Sequence, residues 1–151
     1  MSFLFKSFSG WKKYCEEQSL SLVDVVLEYE VTQKGATSEQ VRQGLQKAYQ
    51  VMKDAVKTGL VEEMNSRSGM ITSGAKKVFN HPLTVLSPEF QRLISRALAA
   101  KEVNSCMGRV VAAPTAGASG ILPGTLVTLQ EIHGLSDAKI CEGLLIGAGI
   151  A

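Results

Sequence analysis

Apolar residues recur at helical spacing along most of this 151-residue chain, and short capping motifs punctuate the runs. Val41, Leu45, Ala48, Met52 and Ala55 step by three or four residues. Ser38 stands at the start of that run, and Gly59 sits where a C-terminal glycine belongs. Ser87-Pro88-Glu89 joins a cap, a first-turn proline and an acid near the positive end of a helix dipole. Phe90, Leu93, Ile94, Ala97 and Leu98 then line one face. Ser21 opens a helix through Val25, Val26 and Tyr29 that fades before Gly35, and Cys15 falls on an earlier helix. Ile121–Ile132 reads as a helix with Pro123 in its first turn and Gly134 at its end; Ser136 caps a last one from about Asp137 onward. Val110–Ala113 is either a short strand or an extended connector. The expected fold class is all-α: a helical domain with two Gly/Ser-rich ligand loops and at most one short strand.

The length suits one domain, and 45% hydrophobic residues suffice for a core. A formal charge of +2, from 16 basic and 14 acidic residues scattered along the chain, argues against nucleic acid or an anionic membrane as partner. No apolar run reaches the roughly 18 residues of a membrane span. Met1–Lys6 is too short for a signal-peptide core, so cytoplasmic localisation is the default. Cys15, Cys106 and Cys141 are odd in number and far apart, and form neither a disulfide framework nor a Cys-x-x-Cys pair. The histidines lack zinc-site spacing, and no Gly-x-Ser-x-Gly elbow occurs.

Two segments carry chemistry. From Asn104 to Gly124 a small apolar piece passes into a loop, Pro114-Thr115-Ala116-Gly117-Ala118-Ser119-Gly120, that opens a helix. Small residues let backbone N–H groups approach an anion at a helix start, so a carboxylate or phosphate would suit. Close helix packing or a tight turn would equally explain Gly117 and Gly120. Upstream, Ser66–Lys77 is rich in Ser, Gly and Lys and reads as a loop between helices. Its Gly69 and Gly74 have phosphate-loop spacing, but Ala75 separates Gly74 from Lys76 and no strand precedes it, so the phosphate-loop reading fails. Arg109 is either a carboxylate fork or a surface arginine. His133 belongs to a helix end and His81 to a loop; Met52, Met64, Met70 and Met107 are read as packing.

The Asn104–Gly124 and Ser66–Lys77 segments, with the N-terminal helices, resemble the alpha chain of the iron–sulfur-dependent L-serine dehydratases over essentially the whole sequence. The resemblance implies an L-serine ammonia-lyase that turns L-serine into pyruvate and ammonia by Lewis-acid-assisted dehydration. It implies a [4Fe-4S] cluster, no pyridoxal phosphate, and a beta chain of the same enzyme in an oligomer. Matched to the family's segments, Ser68, Gly69, Ser73 and Gly74, with Pro114, Thr115, Ala116, Gly117, Ser119 and Gly120, are substrate-binding candidates, with Arg109 beside them. Lys76 and Lys77 are candidates for the base by position only. No cysteine here matches a cluster ligand, so no metal ligand is expected in this chain. The family's alpha chains are roughly twice as long, and Leu144–Ala151 is apolar without a stop signal, so residues 1–151 are expected to be the N-terminal part of such a chain, inactive alone. Two other classes stand beside this reading: a different enzyme binding a phosphorylated metabolite, and a non-catalytic helical metabolite-binding or interaction module.

Overall fold

The computed structural model describes residues 7–113 and 115–150. Among them are seven α-helices and no strand: α1 Phe8–Gln18, α2 Leu22–Lys34, α3 Ser38–Val61, α4 Gly74–Asn80, α5 Pro88–Ser105, α6 Ile121–His133 and α7 Asp137–Ile150. A 3-10 turn, Ala116–Ala118, precedes α6. The all-α expectation holds, and Val110–Ala113 is a connector.

Local chemistry sets most helix ends. Ser21 and Asp24 form a reciprocal capping box at α2, and Gly35, with φ of 63°, closes it in the left-handed conformation. Ser87 Oγ accepts from the Phe90 N–H at the start of α5, with Pro88 in the first turn. Gly134 ends α6 with φ of 60°. At α3 the capping box is made by Thr37 and Gln40 rather than by Ser38, whose residue is already helical.

The chain divides into two compact units. One is built from residues up to Lys47 together with the segment from Asp137 onward; the other is Ala48–Ser136. In the first, Trp11 of α1, Val26 and Leu27 of α2 and Leu145 of α7 form a buried cluster, flanked by Val41 and Leu45 of α3.

In the second unit α5 is the organising helix. Ala55 and Val56 of α3, Met64, and Ala100 and Val103 of α5 form its buried cluster, with Ile71, Cys106, Val110 and Val127 against it. Gly59 does not cap α3, which runs on to Val61. It is buried, and a Cβ there would lie 2.3 Å from the Ala99 carbonyl oxygen, so it marks where α3 crosses α5. On the α6 side, a Cβ on Gly120 would lie 2.2 Å from the Ala97 oxygen, and one on Gly124 2.6 Å from the Ala97 nitrogen. Bare backbones on both sides let α5 be gripped closely. Buried Arg96 completes the α5–α6 contact: it donates to Thr128 Oγ1 at 3.1 Å and pairs with Glu131, which Arg92 also reaches at 2.7 Å.

Met52 and Met64 are packed as expected, whereas Met70 and Met107 are 85% and 86% exposed. Met70 stands at a turn tip, and Met107, with φ of 65°, follows the end of α5. The strip Phe90, Leu93, Ile94, Ala97 and Leu98 shares a side of α5, but Phe90 and Leu98 face solvent. The buried face is instead Ser95, Arg96, Ala99, Ala100, Glu102 and Val103.

Candidate functional site

The first Gly/Ser segment is not an open loop but a tight hairpin running into α4. Asn65 and Thr72 form an antiparallel bridge. Inside it the Ser66 N–H donates to the Ile71 oxygen at 3.2 Å, and the Gly69 N–H turns back to the Ser66 oxygen at 2.9 Å. Gly69 has φ of 71°, a conformation that favours glycine. The tip, Arg67, Ser68, Gly69 and Met70, is exposed. At the base Ser73 is buried in the left-handed region, with φ of 53°. Its hydroxyl accepts from the Met64 N–H at 2.8 Å and donates to Glu63 Oε2 at 3.0 Å. Gly74, Lys76 and Lys77 lie on α4, because Ser73 ends the hairpin and starts a helix in one residue.

Lys76 Nζ reaches Glu63 Oε1 at 2.8 Å and the Val61 oxygen at 3.2 Å. Its hydrogen bond to Glu63, that of Ser73, and its charge hold the Glu63 carboxyl below the usual carboxylate range. A lowered folded-state value means the contribution is present above the unfolded value and is lost as pH falls through the folded one. The Lys76–Glu63 link is therefore expected to persist through neutral pH and to open only below the ordinary carboxylate range. A carboxyl NMR titration of Glu63 checks this; a midpoint at or above the ordinary value would contradict it. Lys76 is engaged in holding α3 to α4, whereas Lys77 is exposed.

The second loop folds as a 3-10 turn. Thr115 Oγ1 accepts from the Ala118 N–H at 3.3 Å. Lys101 Nζ donates to the Gly117 oxygen at 3.2 Å and Asn104 Nδ2 to the Ala116 oxygen at 3.3 Å, so α5 holds the turn from beneath. Thr115, Ala116 and Gly117 are exposed, while Ser119 and Gly120 are buried. Helix α6 starts at Gly120 with no side-chain cap, leaving its first-turn N–H groups uncovered by any side-chain oxygen. Arg109 is exposed, and Pro114 lies outside the described residues.

Both loops are anchored on α5, on different sides of it. The hairpin corner meets Glu102, whose Oε1 accepts from the Ala75 N–H at 3.1 Å. The second loop meets Ala97, Lys101 and Asn104. At roughly 100° per residue, Glu102 lies about 100° from Lys101 and about 160° from Asn104 around the helix axis. No hydrogen bond among the described residues runs directly from one loop to the other. Sequence reasoning missed Glu102, which is 6% exposed. Its only trace there was an acid at a position three residues from Ala99 in a buried helical period.

An iron–sulfur cluster needs several thiolates gathered around one point. Cys15 lies on α1 and Cys141 on α7, while Cys106 follows α5 in the other unit. Among the described residues no three His, Cys, Asp or Glu side chains gather as a ligand set. The cysteines of this chain do not fit a cluster site by themselves. No described helix is long and apolar enough to cross a membrane.

The sequence pattern that defines the serine dehydratase alpha chain family matches residues 17–151. The chain belongs to that family. Among its relatives in the serine dehydratase family, the L-serine dehydratase alpha chain of Peptoniphilus asaccharolyticus is 32% identical over 139 residues, covering 90% of this chain and 48% of the relative. The probable L-serine dehydratase alpha chain of Bacillus subtilis is 32% identical over 133 residues, covering 85% and 43%. The L-serine dehydratase of Haemophilus influenzae is 29% identical over 153 residues, covering 97% and 33%. This serine dehydratase family chain thus spans about half the length, or less, of these curated relatives. No solved structure matches it.

Proposed function

We propose that this chain provides the amino-acid-binding framework of a cytoplasmic enzyme that converts L-serine to pyruvate and ammonia, working with a beta chain in an oligomer. The observation that carries the reading is the pair of small-residue loops fixed on one helix, in a chain whose relatives are named L-serine dehydratases. The reaction removes the Cα proton and the Cβ hydroxyl of serine, releasing water; the aminoacrylate left behind hydrolyses to pyruvate and ammonia. The reading includes a [4Fe-4S] cluster in that enzyme, with ligands other than the three cysteines here, and no pyridoxal phosphate.

This chain's residues bind and orient. The exposed Ser68 hydroxyl and Gly69 backbone at the hairpin tip, and the Thr115–Gly117 turn ahead of the uncapped α6, offer donors to a carboxylate. Arg109 adds an exposed guanidinium. Ser73 and Gly74 act from beneath, as the corner that aims the hairpin. Ser119 and Gly120, both buried, seat the turn against α5. Lys77, exposed on α4, remains a candidate base by position; Lys76 holds Glu63 instead.

The assembled enzyme containing this chain, supplied with L-serine without oxygen, is expected to form pyruvate and ammonia in equal amounts. Binding of serine with no pyruvate formed would favour a non-catalytic binding module. A stronger response to sugar phosphates than to serine would favour a different enzyme.

A further inference from the structure

Two charged side chains are buried in the second unit, Arg96 and Glu102. Arg96 is fully engaged by Thr128 and Glu131. Glu102 is not. Its Oε1 takes the Ala75 N–H at 3.1 Å, while its Oε2, equally buried, has no hydrogen-bond partner among the described residues. A buried carboxylate oxygen left without a donor is costly, and such groups concentrate where a ligand supplies the missing contact. The surroundings leave a way in. At Gly74 the position of a Cβ is 3.1 Å from Glu102 Oε1, and outside its own helix and chain neighbours no other heavy atom lies within 4 Å of it. The absent side chain at Gly74 thus faces the Oε1 edge of the Glu102 carboxylate, the edge that takes the Ala75 N–H.

We propose that Glu102 accepts the α-ammonium group of the amino-acid ligand, approached across the side-chain-free Gly74 corner. The inference rests on the amino-acid-binding reading above. A zwitterion needs an anion at one end as well as donors at the other. The hairpin, on the side of α5 that carries Glu102, supplies donors in its Ser68 hydroxyl and exposed backbone. Of the two carboxylates at the hairpin base, Glu63 is already occupied by Lys76 and Ser73, which leaves Glu102. The terminal torsion of a glutamate is broad, so the carboxylate turns toward the opening without displacing α5. An ammonium brings up to three N–H donors into reach of an oxygen that lacks one.

The test compares the wild-type chain, Glu102→Gln and Gly74→Ala in the assembled enzyme, with L-serine as substrate and glycerate as competitor. Glycerate carries a hydroxyl where serine carries the ammonium. Glu102→Gln keeps a carbonyl oxygen for the Ala75 N–H, so the corner survives while the anion is lost. The expected result is a KM for serine raised at least tenfold, with a smaller change in kcat, and loss of the preference for serine over glycerate. Gly74→Ala, which fills the approach, should raise KM in the same way. Glu102→Gln with unchanged KM and unchanged preference would overturn the proposal, because a merely structural cap is preserved by glutamine. If that variant fails to fold, Gly74→Ala decides, and an unchanged KM there overturns it. A wild-type enzyme that makes no pyruvate from serine overturns the functional reading and this inference together; an active wild type with an indifferent Glu102→Gln overturns this inference alone.

Discussion

Replacing Gly117 by valine is expected to lower serine turnover in the assembled enzyme at least about a hundredfold, the scale of loss when a positioning contact is displaced. The fold should tolerate the change. Gly117 is exposed, its φ is not in the left-handed region, and an added Cβ would meet Thr115 Oγ1 at 3.6 Å, an ordinary contact. The isopropyl group would cover the backbone of the turn that Lys101 and Asn104 hold from below. Circular dichroism and thermal midpoint should therefore stay near wild type while pyruvate formation falls. Near-normal turnover would count against the loop as the place where serine binds.

Gly59→Ala should do the reverse, with a large effect on stability and none that is specific to the site. Its added Cβ would stand 2.3 Å from the Ala99 oxygen, 2.6 Å from its carbonyl carbon and 2.7 Å from its Cα. All three are backbone atoms, so no rotamer relieves the clash, and α3 and α5 must move apart. Alanine gains about 1 kcal/mol over glycine in helix propensity. Overpacking of this kind costs about 1–3 kcal/mol, and more where backbone shifts are forced. The clash should win by about 1–2 kcal/mol, and the thermal midpoint should fall by about 2–8 °C for a chain of this size. An unchanged or raised midpoint in a melting curve would show that the helices do not cross at Gly59 as described.

The same glycine shows where sequence reading stops. The caps at Ser21, Ser87 and Gly134 are legible because each is settled by residues within one turn. Gly59 looked like another such signal, yet its role is fixed by Ala99, forty positions away. The Ser66–Lys77 segment was legible as Ser- and Gly-rich, but its hairpin depends on the left-handed Ser73, an unusual conformation for serine that composition does not announce. On α5 the apolar strip drew attention to Phe90 and Leu98, whereas the buried face carries three polar residues: Ser95, which donates to the Arg92 oxygen of the same helix, Arg96, met by Thr128 and Glu131 of α6, and Glu102, met at Oε1 alone by the Ala75 N–H. Of the candidate site, the second loop and its helix start were readable, and the acid beneath the first loop was not.

Hydrogen exchange on the assembled enzyme, with and without saturating L-alanine, reads out whether the two small-residue segments hold the amino acid. Alanine carries the carboxylate and ammonium of serine but no hydroxyl to eliminate, so the bound state does not turn over. Slowed exchange is expected in the hairpin and the start of α4, residues 65–76, and in the turn and start of α6, residues 115–124, with α1, α2 and α7 unaffected. Protection confined to other parts of the enzyme, with both segments exchanging as freely as before, would contradict it.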